Sequence, residues 1–248
     1  MSSTTASPSS DDGDDSTSWT GFHGKTWQVH KFGGTSVANA ECFRSCAAIV
    51  EDQLGLSSTG DVTQQQHPGH LNLAAVVSAM GGKPKVTDLL LNSVKAAAGR
   101  DQEGVDSYLN LVLEKHTQCL SELFGESSDD KDRLLGTIQH DLRDIQDILK
   151  TVSLMKWQAS RISELVSGYG ELWSAQILAQ LLHNRSAERN ELATRHCMKG
   201  PPRQNMSLYL WMPDGLSLST KKPFPGELWY GVFLLASFKK SMILNGSH

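Results

Sequence analysis

The segment WQVHKFGGTSV, residues 27–37, constrains the fold more than any other part of this chain. An apolar strand-like stretch carrying Trp27, Val29 and Phe32 runs into two adjacent glycines. Beyond Ser36 the residues Phe43, Cys46, Ala47, Val50 and Leu54 recur at helical spacing. A second run, LNLAAVVSAM at 71–80, has the continuous small and β-branched character of a strand buried on both faces. Strand, helix and strand make a βαβ unit, which places the chain in the α/β class with a parallel sheet.

The middle of the chain reads as helical. Val86 to Ala98 forms one helix; Val105, Leu109, Val112 and Leu120 mark a second; Leu134, Ile138, Leu142, Ile145 and Leu149 form the apolar stripe of a third. The acidic GESSDDKD between the last two reads as a loop rich in helix-capping residues. Gly-Tyr-Gly at 168–170 reads as a turn, with a further helix beginning near Glu171 and carrying Leu172, Ile177, Leu178, Leu181 and Leu182. The Gln/His/Gly stretch at 60–70 reads as a surface loop. No internal repeat is visible.

Composition narrows the function classes. In 248 residues, 39% hydrophobic content suffices for a sizeable core, and a net charge of −4 offers no broad basic surface for nucleic acid or an anionic membrane. No apolar run approaches the roughly 18 residues of a membrane span. Cys42, Cys46, Cys119 and Cys197 come without a secretory leader, so reduced, structural thiols are expected; Cys42 and Cys46 share a helix face but have no further ligand spaced for a metal. The nine histidines include no H-x-x-x-H pair, so none is assigned to a metal. Residues 1–26 are acidic and Ser/Thr-rich, and read as a disordered tail. They lack both an apolar signal core and an Arg-rich transit character, so a cytoplasmic location is expected, with the plastid as the alternative if the N-terminus lies upstream of Met1.

The opening motif has chemical content of its own. A strand that ends in glycines and hands over to a helix concentrates backbone N–H groups where a phosphate can use them. Lys31 adds a mobile charge. The spacing is neither a Walker A loop, since the lysine precedes the glycines, nor the G-x-G-x-x-G dinucleotide fingerprint. Spacing alone leaves a phosphate cradle and an ordinary βα turn with a surface lysine both open.

Three segments in order carry a resemblance. KFGGTSV at 31–37 resembles the N-terminal signature of aspartate kinases, VVSAM…KVTDLL at 76–90 matches a second segment, and VSGYGELWSAQILAQLL at 166–182, preceded by VLEKH at 112–116, matches a third. The combination is most similar to the kinase half of the bifunctional aspartokinase/homoserine dehydrogenases, over about residues 28–182. The resemblance implies part of the αβα three-layer amino-acid kinase fold. It also implies transfer of the ATP γ-phosphate to the side-chain carboxylate of L-aspartate, giving 4-phospho-L-aspartate, the entry to lysine, threonine, methionine and isoleucine.

By the same resemblance Lys31 supplies catalytic charge, and Gly33, Gly34, Thr35, Ser36 and Ser78 join it around the ATP phosphates. Thr87 and Glu171 hold aspartate, the Glu171 carboxylate meeting the substrate ammonium. Mg²⁺ is expected with ATP, with no protein ligand assigned. Each residue has a plainer alternative: Ser78 ends a strand, Thr87 caps a helix, and Glu171 sits at a helix N-terminus. L-aspartate and ATP are the expected partners, with no nucleic acid or membrane and with a homo-oligomer open.

Two departures from the family stand out. Gly81 to Pro84 lengthens the connection leading to Thr87. After about His183 the resemblance fades, and no segment resembles GRGGSD or TDVDG, which in the family hold nucleotide and metal. The expected organisation is therefore a tail at 1–26, the N-terminal part of an aspartate kinase domain at 27–185, and a divergent tail at 186–248, out of frame or disordered. Such a truncated chain is expected to be an impaired kinase; the alternative is a non-catalytic aspartate- and phosphate-binding or regulatory fragment.

Overall fold

A computed structural model describes residues 27–54, 72–155, 159–196, 204–211, 218–219 and 228–236. The tail expected at 1–26 and the loop expected at 60–70 lie outside them. Strand β1 (Trp27–Phe32) runs parallel to β2 (Asn72–Val77), with Lys31 opposite Val76 and Phe32 opposite Val77. Between them lie a 3₁₀ turn (Gly34–Val37) and helix α1 (Ala40–Gln53). Four further helices follow: α2 (Val86–Ala98), α3 (Gln102–Phe124), α4 (Asp129–Met155) and α5 (Ala159–His196).

The helices form where the apolar spacing predicts. On α4, Leu134, Ile138, Leu142, Ile145, Leu149 and Val152 are all buried, one stripe at three- and four-residue intervals. On α3, Val105, Leu109, Val112, Cys119 and Leu120 do the same, after Asp101 caps the helix by accepting from the Gly104 amide at 2.8 Å. The core is continuous from Phe43 on α1, through Leu73 and Leu90, to Trp173 and Leu178 on α5.

Three features differ from the sequence reading or lie beyond it. Residues 168–170 form no turn, because α5 runs unbroken from Ala159 to His196. A Cβ at Gly170 would lie 2.9 Å from the Ala79 Cβ and 3.0 Å from the Val86 Cγ1, so glycine there admits close helix packing. Second, the apolar residues of β1 do not share a face. Val29 is 68% exposed, whereas Phe32 is buried and stacks with His30 at a 6.4 Å centroid distance, as the alternation of a strand requires.

Third, the sheet does not stop at β2. The backbone of β3 (Gln204–Trp211), β4 (Leu218–Ser219) and β5 (Leu228–Ala236) extends it in the order β1-β2-β5-β3-β4. β5 is parallel to both β2 and β3, and β4 is antiparallel to β3. The apolar burst in LWYGVFLLA therefore has the character of a central parallel strand, and α5 lies against this sheet. The α/β class expected from the sequence stands.

Candidate functional site

The motif residues gather where parallel strands end, the edge at which open α/β sheets bind ligands. At the end of β1, Gly33 leads into the 3₁₀ turn, and the Ser36 amide donates to Gly33 O at 2.9 Å. At the end of β2, the Ser78 amide donates to Phe32 O at 3.0 Å, extending the ladder one residue past the strand. Since Lys31 faces Val76 and strand side chains alternate, Lys31, Val76 and Ser78 belong to one face of the sheet.

The two connections touch backbone to backbone. The Gly81 amide donates to Gly34 O at 2.9 Å. A Cβ at Gly81 would lie 2.3 Å from that oxygen and 2.5 Å from the Gly34 carbonyl carbon, and one at Gly34 would lie 3.1 Å from Ala79 O. Gly33 is different. Its φ of −74° suits any residue, and a Cβ built there meets nothing within 4 Å among the described residues. Neither packing nor backbone conformation calls for glycine at 33. Lys31, Thr35 and Ser36 are exposed around it.

From the other side, α5 packs Gly170 against Ala79 and Val86, and Glu171 is the next residue along that helix. Thr87 and Glu171 are both half-buried. Residues 33–36 and Ser78 thus lie together at the ends of β1 and β2, with Lys31 on the strand leading to them, while Thr87 lies in the first turn of α2 and Glu171 follows the packed Gly170 on α5. Two plainer alternatives fall away. Thr87 does not cap α2, whose N-cap is Lys85 and which carries no side-chain cap bond. Glu171 lies well inside α5 rather than at a helix N-terminus.

The helix after the motif is not open to an anion in the way its spacing suggests. Asn39 Oδ1 accepts from the Cys42 amide at 3.0 Å, occupying the first turn of α1. Any cradle therefore belongs to the 3₁₀ turn. That turn is held from beneath by the Cys46 thiol, which donates to Ser36 O at 3.0 Å. Burial, reinforced by Cys42, pushes the Cys46 thiol up to about 11, and burial pushes Cys119 up to about 12, so both stay protonated as structural thiols do.

Sequence reasoning passed over several residues that position this edge. Lys115 on α3 donates to Gly81 O at 2.5 Å and Pro84 O at 2.7 Å. Its neighbour His116 is fully buried, with Nδ1 2.7 Å from Val112 O, which assigns the ring proton to Nδ1. Burial lowers His116 to about 4, so it is neutral. Its ring meets Trp173 edge-on at 5.1 Å, and the Trp173 indole donates to Asp141 Oδ2 at 2.8 Å. VLEKH and GELW were the available signals, but their spacing did not show that they meet.

Among the described residues, His140, Asp141 and Asp144 lie close enough to one another to share an ion. His140 and Asp144 pair at 3.4 Å on an exposed helix face and Asp141 is occupied by Trp173, so no metal is assigned. No helix among the described residues is long and apolar enough to cross a membrane.

No protein-family profile matches the chain. It is 34% identical over 192 residues to the chloroplastic bifunctional aspartokinase/homoserine dehydrogenase of Daucus carota, covering 77% of this chain and 18% of that protein. Enzyme 2 of the same description from Arabidopsis thaliana is 31% identical over 175 residues, covering 69% and 16%. Its Zea mays counterpart is 31% identical over 182 residues, covering 72% and 17%. The chain is homologous to part of the bifunctional aspartokinase/homoserine dehydrogenases. This aspartokinase/homoserine dehydrogenase homologue spans under a fifth of the length of those relatives. They are named chloroplastic, and nothing in the comparison favours the cytoplasmic location expected above.

Proposed function

We propose that the chain carries the phosphate- and aspartate-binding part of an aspartate kinase, within a portion of the αβα three-layer amino-acid kinase fold. The reaction is transfer of the ATP γ-phosphate to the side-chain carboxylate of L-aspartate, giving 4-phospho-L-aspartate. The observation that carries this reading is Gly33. Among the described residues nothing packs where its Cβ would lie and its φ suits any residue, and it stands at a strand end near in sequence to an exposed lysine and two exposed hydroxyls. A bare backbone suits the close approach of a phosphate.

Both reactants are anions, so the site works by positioning and charge rather than by covalent catalysis. Lys31 offsets the charge that spreads over the transferring phosphoryl group. The amides of Gly33 and Gly34 and the hydroxyls of Thr35, Ser36 and Ser78 orient it. Thr87 and Glu171 hold aspartate, with the Glu171 carboxylate toward the substrate ammonium. Magnesium bound with ATP supplies further neutralisation, and none of the matched residues is assigned to it.

By analogy with its relatives' printed names, we place the chain in the plastid and in amino-acid biosynthesis.

Trapping of the acyl phosphate with hydroxylamine, in the presence of ATP, Mg²⁺ and L-aspartate, tests the reading. The chain is expected to give aspartyl hydroxamate, and Lys31→Ala to lower its rate by about 100-fold or more, the scale for losing one preorganised charge. Hydroxamate formation unchanged in Lys31→Ala refutes the role of Lys31. Absence of turnover, with aspartate raising the melting temperature, instead identifies the non-catalytic binding fragment.

A further inference from the structure

We propose that Lys115 is a positioning residue, whose ammonium clamps the segment from Gly81 to Pro84 and so sets Ser78 and Thr87 against the Gly33 turn. The functional half of this statement rests on the aspartate kinase reading.

Lys115 comes from the middle of α3, within VLEKH and well separated in sequence from the Gly33 turn, Ser78 and Thr87. Its Nζ takes two neutral carbonyls, Gly81 O at 2.5 Å and Pro84 O at 2.7 Å. These bracket the residues that lengthen the β2–α2 connection. Among the described residues it has no ion-paired carboxylate, so the charge is committed to these carbonyls. Charge-assisted bonds of this kind are the stronger class.

The other attachments of the connection show what the clamp completes. Its start is tied to β1 by the Ser78 amide, its middle to the Gly33 turn by the Gly81 amide, and its end to itself by the Val86 amide donating to Met80 O at 3.0 Å. Gly81 is the shared point: its N–H reaches the Gly34 carbonyl while its own C=O receives Lys115. Between the anchors lies Gly82, with φ +85° and with any Cβ only 3.2 Å from Lys115 Nζ. Residues 82–85 are exposed, so little else holds them from the solvent side. Without the ammonium, the longer connection loses its closure and the start of α2 is no longer fixed relative to Ser78.

Hydrogen exchange on the whole chain tests the clamp without reference to activity. Lys115→Met keeps the aliphatic stem and removes the donor; exchange over residues 81–86 is expected to rise about tenfold or more, with α4 unchanged. Lys115→Arg, which can again donate to two carbonyls, is expected to restore protection. Should Lys115→Met fail to fold, Lys115→Gln, which replaces the ammonium with a shorter neutral donor, is expected to give an increase at the same residues. Unchanged exchange at 81–86 in a folded variant overturns the proposal.

In the hydroxamate assay, Lys115→Met is expected to raise KM for aspartate about tenfold while kcat changes less than about threefold, with recovery in Lys115→Arg. A fall in kcat at constant KM overturns the positioning role. An inactive wild-type chain refutes the kinase reading instead and leaves the exchange result to decide the clamp.

Discussion

Replacing Gly81 by alanine puts a methyl carbon 2.3 Å from Gly34 O and 3.0 Å from Thr35 N, with backbone atoms rather than a yielding side chain as the obstacle. Ordinary contact needs roughly 3.4 Å or more, so the two connections must part by about 1 Å. That opening breaks the 2.9 Å bond from the Gly81 amide to Gly34 O. Overpacking of this kind costs about 1–3 kcal/mol and the lost hydrogen bond about 1 kcal/mol, so Gly81→Ala is expected to destabilise the chain by about 2–4 kcal/mol. Gly33→Ala is the matched control: the added methyl meets nothing within 4 Å among the described residues and the backbone is already extended, so stability is expected to hold within about 0.5 kcal/mol. Urea unfolding of the two variants beside the wild type measures both. Equal stability of Gly81→Ala and wild type refutes the packing argument. Gly33→Ala that is stable and retains full hydroxamate turnover refutes the assignment of Gly33 to the phosphate.

The buried His116 makes acid stability predictable in sign. Its pKa is about 4 folded against 6.5 as a free side chain, so the unfolded chain takes up the proton first; its contribution is intact above 6.5 and is lost as pH falls toward 4. The loss over that window is about 3 kcal/mol, checked by urea titrations at several pH values, and His116→Gln is expected to remove that part of the slope. Glu51 on α1 is nearly buried and held by Arg185 at 2.9 Å and by Arg189, both from α5. Glu51→Ala leaves those guanidinium groups without their carboxylate and is expected to cost about 3 kcal/mol; a double-mutant cycle with Arg185→Ala should return a coupling energy well above that of an exposed pair.

Legibility in the sequence followed the range of the physics. The α2 helix at Val86–Ala98 and the α4 stripe were readable because period-3.6 burial is a local pattern. The same local logic misread Gly168 and Gly170 as a turn, since a glycine that breaks a helix and one that lets a neighbour approach look alike until the neighbour is known. It also grouped Val29 with Phe32 by hydrophobicity, although the pleat sends them to opposite faces. The strand LWYGVFLLA fell within the tail read as divergent, because its partner, β2, lies far upstream and no local pattern records that pairing.

The sequence by itself determined the α/β class, the βαβ opening, most helix positions and a motif suited to phosphate, because residue type and spacing act over a turn or a strand. Only the tertiary structure decided which glycine serves packing and which leaves room, that Thr87 is not a cap and Glu171 not at a helix N-terminus, and that Lys115 donates to both ends of the Gly81–Pro84 segment. Those outcomes depend on contacts between Gly34 and Gly81, Ala79 and Gly170, and Gly81 and Lys115. Such contacts join segments far apart in the chain, and no local periodicity records them.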